Sequence, residues 1–275
     1  MRKIVHLSDL HFGRIDDSII EPLIAMAASI KPDVVVVSGD LTQRARSLQF
    51  IDAKAFLDRL PNPQIVVPGN HDVPLHNVFS RFLKPLDKYR RYITDDLQPL
   101  HSDDEIAVLG INTARSSTVK GGRINEDQVK LMREHLCSFG KGIVKIIVTH
   151  HPFDLPETHD ENDIVGRSQM AMRAFAECGA DVFLSGHLHL SRTGHTASRY
   201  NIEGYSALVV QAGTATSTRG RGESNSFNVI TIDQSKIAVE RLEWIPEKSV
   251  FTSSRVEKFT KTADGWIRTT VAENE

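Results

Sequence analysis

Short runs of apolar residues alternate along the chain with longer stretches in which apolar positions recur every three or four residues. The runs Lys3–Ser8, Asp33–Ser38 with its four consecutive valines, Gln64–Val67, Ile106–Asn112, Val144–Thr149 and Val182–Ser185 predict strands. Helical spacing predicts helices over Glu21–Ile30, Ser47–Leu60, Glu126–Leu136 and Ser168–Glu177. Lys31-Pro32 and Pro61-Asn62-Pro63 close the first two, because the residue before a proline is pushed out of the helical region. The segment His76–Leu97 mixes Phe79, Phe82, Leu83, Leu86, Tyr89 and Tyr92 with basic residues and also fits helical spacing. Strands and amphipathic helices in alternation predict an α/β layered fold.

Farther on, Ala207–Gln211, Phe227–Asp233 and Ala238–Ile245 predict neighbouring strands of a second sheet. Arg255–Thr260 and Trp266–Thr270 flank Ala263-Asp264-Gly265, a hairpin signal. The expected organisation is one domain over residues 1–245 with a C-terminal extension over 246–275. The composition of that extension does not choose between an edge hairpin, a lid over a site and the arm of a homodimer.

Composition narrows the function classes. Hydrophobic residues make up 40% and charged residues 25% of the 275, so a packed core is expected rather than disorder. Lys and Arg number 33 against 35 Asp and Glu, for a net charge of -2, which argues against a dedicated nucleic-acid binder. No apolar run approaches the roughly 18 to 20 residues that span a bilayer. The apolar stretch Ile4–Leu7 is broken by Ser8, Asp9 and His11, too early for a secretory signal. Two cysteines, Cys137 and Cys178, suit a reduced compartment in which both pack as small apolar residues, and the expected location is the cytoplasm.

The chemistry concentrates where strands end. Five predicted strands, read as one first sheet, run into Ser8-Asp9-Leu10-His11, Ser38-Gly39-Asp40, Pro68-Gly69-Asn70-His71-Asp72, Thr149-His150-His151-Pro152 and Ser185-Gly186-His187-Leu188-His189. Ligands of α/β sheets bind at the carboxyl edge of the strands, so these endings converge. Carboxylate, amide oxygen and imidazole without thiolate suit Mn, Fe, Co, Ni or Zn, and the surplus of donors over four implies two cations. Glycine before Asp40, Asn70 and His187 is expected to let the chain turn sharply.

Asp9-x-His11, Gly39-Asp40, Gly69-Asn70-His71-Asp72, His150-His151-Pro152 and Gly186-His187-x-His189 together resemble the five blocks of the calcineurin-like metallophosphoesterases. The resemblance implies a four-layer α/β/β/α sandwich with two metal ions, Mn or Fe first and Zn, Co or Ni next, between the carboxyl edges of two sheets. It implies that Asp9, His11 and His189 hold one ion, that Asn70, His150 and His187 hold the other, and that Asp40 bridges them. It further implies in-line attack on phosphorus by a metal-bridging hydroxide, with His71 as the acid that meets the leaving oxygen. His150 is preferred over His151 by the family alignment alone. Leu41-Thr42-Gln43-Arg44-Ala45 stands where the protein phosphatases of the family carry Asp-Arg-Gly, and Asp72 where they carry Glu. Gly69-Asn70-His71-Asp72, with Asn112-Thr113 and Gly121-Gly122-Arg123, is similar to the class III cyclic nucleotide phosphodiesterases and their glycerophosphodiester-cleaving relatives.

The implied substrate is a small phosphodiester, first a 3′,5′-cyclic nucleotide, then a glycerophosphodiester, a 2′,3′-cyclic nucleotide or diesters broadly. A nuclease would need a basic aromatic groove, for which only residues 81–92 offer material. A scaffold that had abandoned catalysis is expected to have lost His71 or Asp40, and both are present. Arg14, Arg115, Arg123 and Arg192 fall in loops near strand ends, where each is a phosphate clamp or a solvated side chain. Phe12, His76 and His195 flank the blocks as candidate substrate contacts, whereas the isolated His6, His101 and His135 are expected to be structural.

Overall fold

The four valines of residues 34–37 divide between two apolar clusters: Val35 and Val37 pack on one face, Val34 and Val36 on the other. Such division requires a strand covered on both sides, and sliding it by one residue would exchange the two sets. The computed structural model describes residues 1–75, 78–117, 120–156, 161–219 and 222–269.

In chain order the elements of the first half are β1 (Arg2–Leu7), α1 (Asp17–Ile30), β2 (Val34–Ser38), α2 (Ser47–Leu57), β3 (Gln64–Val67), α3 (Val78–Leu83), α4 (Asp87–Tyr92), β4 (Leu100–Ser102), β5 (Ile106–Gly110) and α5 (Glu126–Leu136). The second half adds β6 (Val144–Val148), α6 (Ser168–Glu177), β7 (Val182–Ser185), β8 (Arg192–His195), β9 (Leu208–Gln211), β10 (Ser226–Asp233), β11 (Lys236–Ile245), β12 (Val250–Thr262) and β13 (Gly265–Arg268).

The strands form two mixed sheets, ordered β13-β12-β11-β10-β1-β2-β3 and β4-β5-β6-β7-β9-β8. Ile4, Val36 and Val67 of the first sheet meet Val108, Val148 and Leu184 of the second in the cluster between them. Ile19, Leu23, Phe50 and Phe56 of α1 and α2 cover the outer face of the first sheet. Met132 and Phe175 of α5 and α6 cover that of the second. The result is the expected α/β/β/α sandwich.

Several expectations are corrected. The five strands that carry the polar endings do not share one sheet: β1, β2 and β3 run parallel in the first, β6 and β7 in the second. The three later strands do not sit together either. β9 pairs with β7, while β10 returns antiparallel to β1 and brings β11 with it. The first helix starts at Asp17 instead of Glu21, because the Asp16 side chain accepts from the Ser18 N–H and caps it. The helix expected to end at Leu60 stops at Leu57. The described part of 76–97 is two short helices separated at Lys84-Pro85, since proline cannot continue a helical ladder. Cys137 and Cys178, at the C-caps of α5 and α6, are joined in a disulfide rather than packed as two separate thiols.

Residues 250–268 extend the first sheet, with β12 paired antiparallel to β11 from Lys236↔Thr260 to Ile245↔Val250 and a shift of register between Arg241 and Leu242. Phe259 and Trp266 enter the cluster between the sheets, and the Trp266 indole donates to Asp181 Oδ1 at 3.0 Å. Among the described residues no helix is long and apolar enough to cross a membrane.

Candidate metal centre

The parallel strands of both sheets deliver their carboxyl ends to one place. Main-chain bonds lace the emerging loops together: Asp9 N–H to the Gly39 carbonyl, His11 N–H to that of Asp40, Thr149 N–H to that of Leu184 and Gly186 N–H to that of His150. Asp9, His11, Asp40, His187 and His189 all have φ between 52° and 74°, so half of the ten described non-glycine residues at positive φ belong to this one cluster. Such a conformation costs on the order of 1 kcal/mol or more per residue and persists only where surrounding contacts impose it.

One set of donors comprises Asp9, His11, His189 and one edge of Asp40. Asp9 Oδ1 lies 3.2 Å from His189 Nε2 and 3.6 Å from His11 Nε2, and those two nitrogens are 3.2 Å apart. His11 Nε2 stands 3.7 Å from Asp40 Oδ2. The second set comprises Asn70, His150, His187 and the other edge of Asp40. Asn70 Oδ1 lies 3.0 Å from His150 Nε2 and 3.1 Å from His187 Nδ1, and Asp40 Oδ1 lies 3.4 Å from His150 Nε2. Donors about 2.1 Å from a shared ion stand roughly 3 to 3.5 Å apart. Asp9 Oδ1 is buried and accepts no hydrogen bond, as expected of an atom reserved for a cation. The residues therefore fit two ions.

Neighbouring groups aim these donors. His150 Nδ1 sits 2.9 Å from the Ser38 carbonyl; donating there leaves its Nε2 lone pair facing Asn70 and Asp40. Asp9 Oδ2 accepts from Ser8 Oγ at 2.7 Å and from the His187 N–H at 3.0 Å. Asp72 is buried and accepts from Leu41, Thr42 and Gly69 N–H groups and the Thr42 hydroxyl, tying the second block to the third. Burial and the Asp40 charge push its carboxyl up to about 6.

Burial alone would raise the Asp9 carboxyl, but the neighbouring His189 and His11 rings hold it well below the usual range. Burial, chiefly, lowers His187 against the opposing Asp163. It also lowers His71, where His11 and Arg219 add to the effect.

His71 stands beside the cluster, its ring edge-on to that of His11 with centroids 4.9 Å apart. Its Nδ1 is 2.9 Å from the Gln43 carbonyl, and its backbone N–H donates to Asp40 Oδ1 at 2.8 Å. His151 lies close to His150 and His187, but both its ring nitrogens have other partners: its Nδ1 meets Thr113 Oγ1 and its Nε2 the Lys120 carbonyl, each at 2.8 Å.

The glycines need correction. Of Gly39, Gly69 and Gly186, Gly39 alone takes a positive φ, 93°, and it also lies close to His150. Gly69 and Gly186 are glycine for lack of room: a Cβ on the first would strike the Asp40 carboxylate, and on the second Ser8 Oγ and Asp9 Oδ2.

Other candidates lie elsewhere. Arg192 pairs with Asp154 at 2.9 Å, and Arg115 is held by the Asn112 and Ala114 carbonyls and Gln128. Arg14 and Arg123 are exposed. Phe12 packs against Phe56 and His195 against Phe259, while His6 is buried against Ser38 Oγ at 2.9 Å. His76 and Thr270 fall outside the described residues. The residue that sequence reasoning missed is Arg219, whose Nη1 lies 3.0 Å from His71 Nε2. Its signal was an arginine soon after the end of a strand, β9, whose carboxyl edge was not read as part of the site.

A two-sheet α/β sandwich with clustered Asp, Asn and His donors at its shared carboxyl edge defines a metallohydrolase scaffold. Residues 2–191 match the family described as Calcineurin-like phosphoesterase, and the chain belongs to that family. It is similar to the Glycerophosphodiester phosphodiesterase GpdQ of Enterobacter lignolyticus, 26% identical over 165 residues, covering 55% of this chain and 58% of that one. It is also similar to the Probable glycerophosphodiester phosphodiesterase GpdQ of Arcobacter nitrofigilis, 24% identical over 143 residues, covering 51% and 50%. The chain thus spans little more than half the length of these relatives. Among solved structures, purple acid phosphatase PPD1 from yellow lupin (Lupinus luteus) seeds shares the fold, with TM-score 0.70 at 12% identity, over 99% of this chain and 57% of that one.

Proposed function

We propose that the protein is a two-metal hydrolase of small phosphodiesters. The observation that carries this reading is the division of the Asp40 carboxylate, with Oδ2 toward the His11 set and Oδ1 toward the His150 set. Asp9, His11 and His189 would hold one ion, Asn70, His150 and His187 the other, and Asp40 would be shared. When bound, two divalent ions, Mn or Fe first, supply Lewis-acid stabilisation of the phosphoryl oxygens and a water acidic enough to serve as nucleophile near neutral pH.

The chain's own residues do the rest. Asp40 is oriented by the His71 N–H, and His150 is locked in one tautomer by Ser38. His71, anchored through Nδ1 on the Gln43 carbonyl, presents Nε2 as the atom that carries a proton to the leaving oxygen.

The names of the two curated relatives favour a glycerophosphodiester, whereas the block pattern, similar to both cyclic nucleotide and glycerophosphodiester enzymes, does not choose between them. Turnover by Mn-reconstituted protein of glycerophosphoethanolamine, 3′,5′-cAMP, bis(p-nitrophenyl) phosphate and p-nitrophenyl phosphate separates them. Diester turnover that is abolished by chelation and by Asp40→Ala is expected. Activity on the monoester alone, or activity indifferent to chelation, would overturn the reading.

A further inference from the structure

We infer that Arg219 is a substrate-binding residue that grips a non-bridging oxygen of the phosphodiester; the inference rests on the functional reading above and extends it. With its Nδ1–H committed to the Gln43 carbonyl at 2.9 Å, His71 turns an Nε2 lone pair toward the Arg219 guanidinium, 3.0 Å away. The guanidinium therefore sits within one hydrogen bond of the side chain beside the reacting centre. His71 Nε2 cannot accept from Arg219 and carry a proton to a leaving oxygen at once. A phosphodiester that displaces this contact offers the guanidinium a charged oxygen, to which it bonds more strongly than to a neutral imidazole, and frees Nε2 for the leaving oxygen.

The main chain around Arg219 is tied to the loop of the first block. Thr216 Oγ1 donates to the Leu10 carbonyl at 2.7 Å, the Thr218 N–H to the Arg14 carbonyl at 3.1 Å, and the Asp16 N–H to the Thr216 carbonyl at 2.8 Å. Asn225 Nδ2 holds the Ser217 carbonyl at 2.9 Å, and the Arg219 N–H donates to Ser217 Oγ at 3.1 Å. The Arg219 carbonyl faces His189 Nδ1 at 3.5 Å, so the same residue borders a donor of the metal cluster. These contacts fix the main chain that carries the Arg219 side chain, which limits the ordering cost of binding. The four arginines that sequence reasoning nominated do not touch His71 in any described contact.

The test uses the Mn-loaded full chain, with inorganic phosphate as probe in isothermal titration calorimetry and bis(p-nitrophenyl) phosphate as substrate. Arg219→Ala is expected to weaken phosphate binding about ten- to a hundredfold, the loss of one charge-assisted hydrogen bond, and to raise KM comparably, with two ions still bound by elemental analysis. Arg219→Lys, which keeps the charge but loses the fork, is expected to recover part of the affinity and guards against a misfolded alanine variant. His71→Ala should leave phosphate affinity within about twofold. Unchanged phosphate affinity in Arg219→Ala, whether or not kcat falls, overturns the clamp while leaving diester hydrolysis intact. Phosphate affinity that depends on Arg219 in a protein that cleaves no diester overturns the functional reading and keeps the clamp. Absence of both phosphate binding and turnover in the native chain overturns both.

Discussion

Asp9 and His189, 180 positions apart in the chain, meet with Oδ1 3.2 Å from Nε2 in a fully buried setting where that oxygen accepts no hydrogen bond. An uncompensated carboxylate oxygen is costly to bury, and a cation removes the cost. Mn added at a hundredfold excess over its Kd is expected to stabilise the native state by about 2.7 kcal/mol per site, read as a rise in Tm. In Asp9→Asn the rise should shrink to that of the remaining site, with elemental analysis falling toward one ion. Equal Tm values with chelator and with Mn would contradict the assignment of these donors.

His71 borders the cluster without supplying a donor to either set. His71→Ala is therefore expected to retain both ions while turnover falls roughly a hundredfold on an alkyl diester. On a nitrophenyl diester the loss should be much smaller, because that leaving group departs without a proton. Equal losses on the two substrates would assign His71 to something other than the leaving oxygen.

Gly69 has an N-cap φ of -103°, which any residue adopts, so its requirement is spatial. Gly69→Ala drives a methyl into the Asp40 carboxylate and backbone and is expected to cost about 1–3 kcal/mol and to weaken metal binding. Gly140→Ala, with nothing within 4 Å of its Cβ, is the control and should stay within about 0.5 kcal/mol. Denaturant melts of the two variants in chelator and in Mn make the comparison.

Away from the centre, Asp103, just after β4 of the second sheet, meets Arg2 at the start of β1 in the first. Its Oδ1 accepts from the Glu105 and Ile106 N–H groups at 2.7 and 2.9 Å, and its Oδ2 from Arg2 Nε at 2.8 Å. Burial raises its carboxyl, but these hydrogen bonds and the Arg2 charge hold it below the ordinary 3.8. A depressed folded pKa contributes stability that is present above 3.8 and is lost as pH falls through the folded value. Thermal scans from pH 7 to pH 3 should therefore show a shallower acid loss in Asp103→Asn than in the native chain. Parallel curves would remove Asp103 from the account.

The strands and their polar endings were legible in the sequence because both are written locally. Apolar runs mark β2 and β6, and the Asp, Asn and His donors follow within a few residues of each strand end. Pairing partners are not local. Whether Phe227–Asp233 joins β1 or β9 depends on which edge offers unpaired main-chain groups and a matching apolar face, and only the folded chain sets β10 antiparallel to β1. Likewise nothing within His150-His151 orients the two rings differently. The Ser38 carbonyl, 112 positions away, turns His150 Nε2 into the cluster, and Thr113 and Lys120 hold both nitrogens of His151. Arg219 became part of the site for the same reason: β9 lies beside β7, so the loop that follows it reaches His71 across 148 positions. The sequence by itself determined the elements and the donor chemistry, through backbone periodicity and side-chain type; the tertiary structure decided the sheet order, the aim of each ring nitrogen and the arginine beside them, because contacts between distant residues set all three.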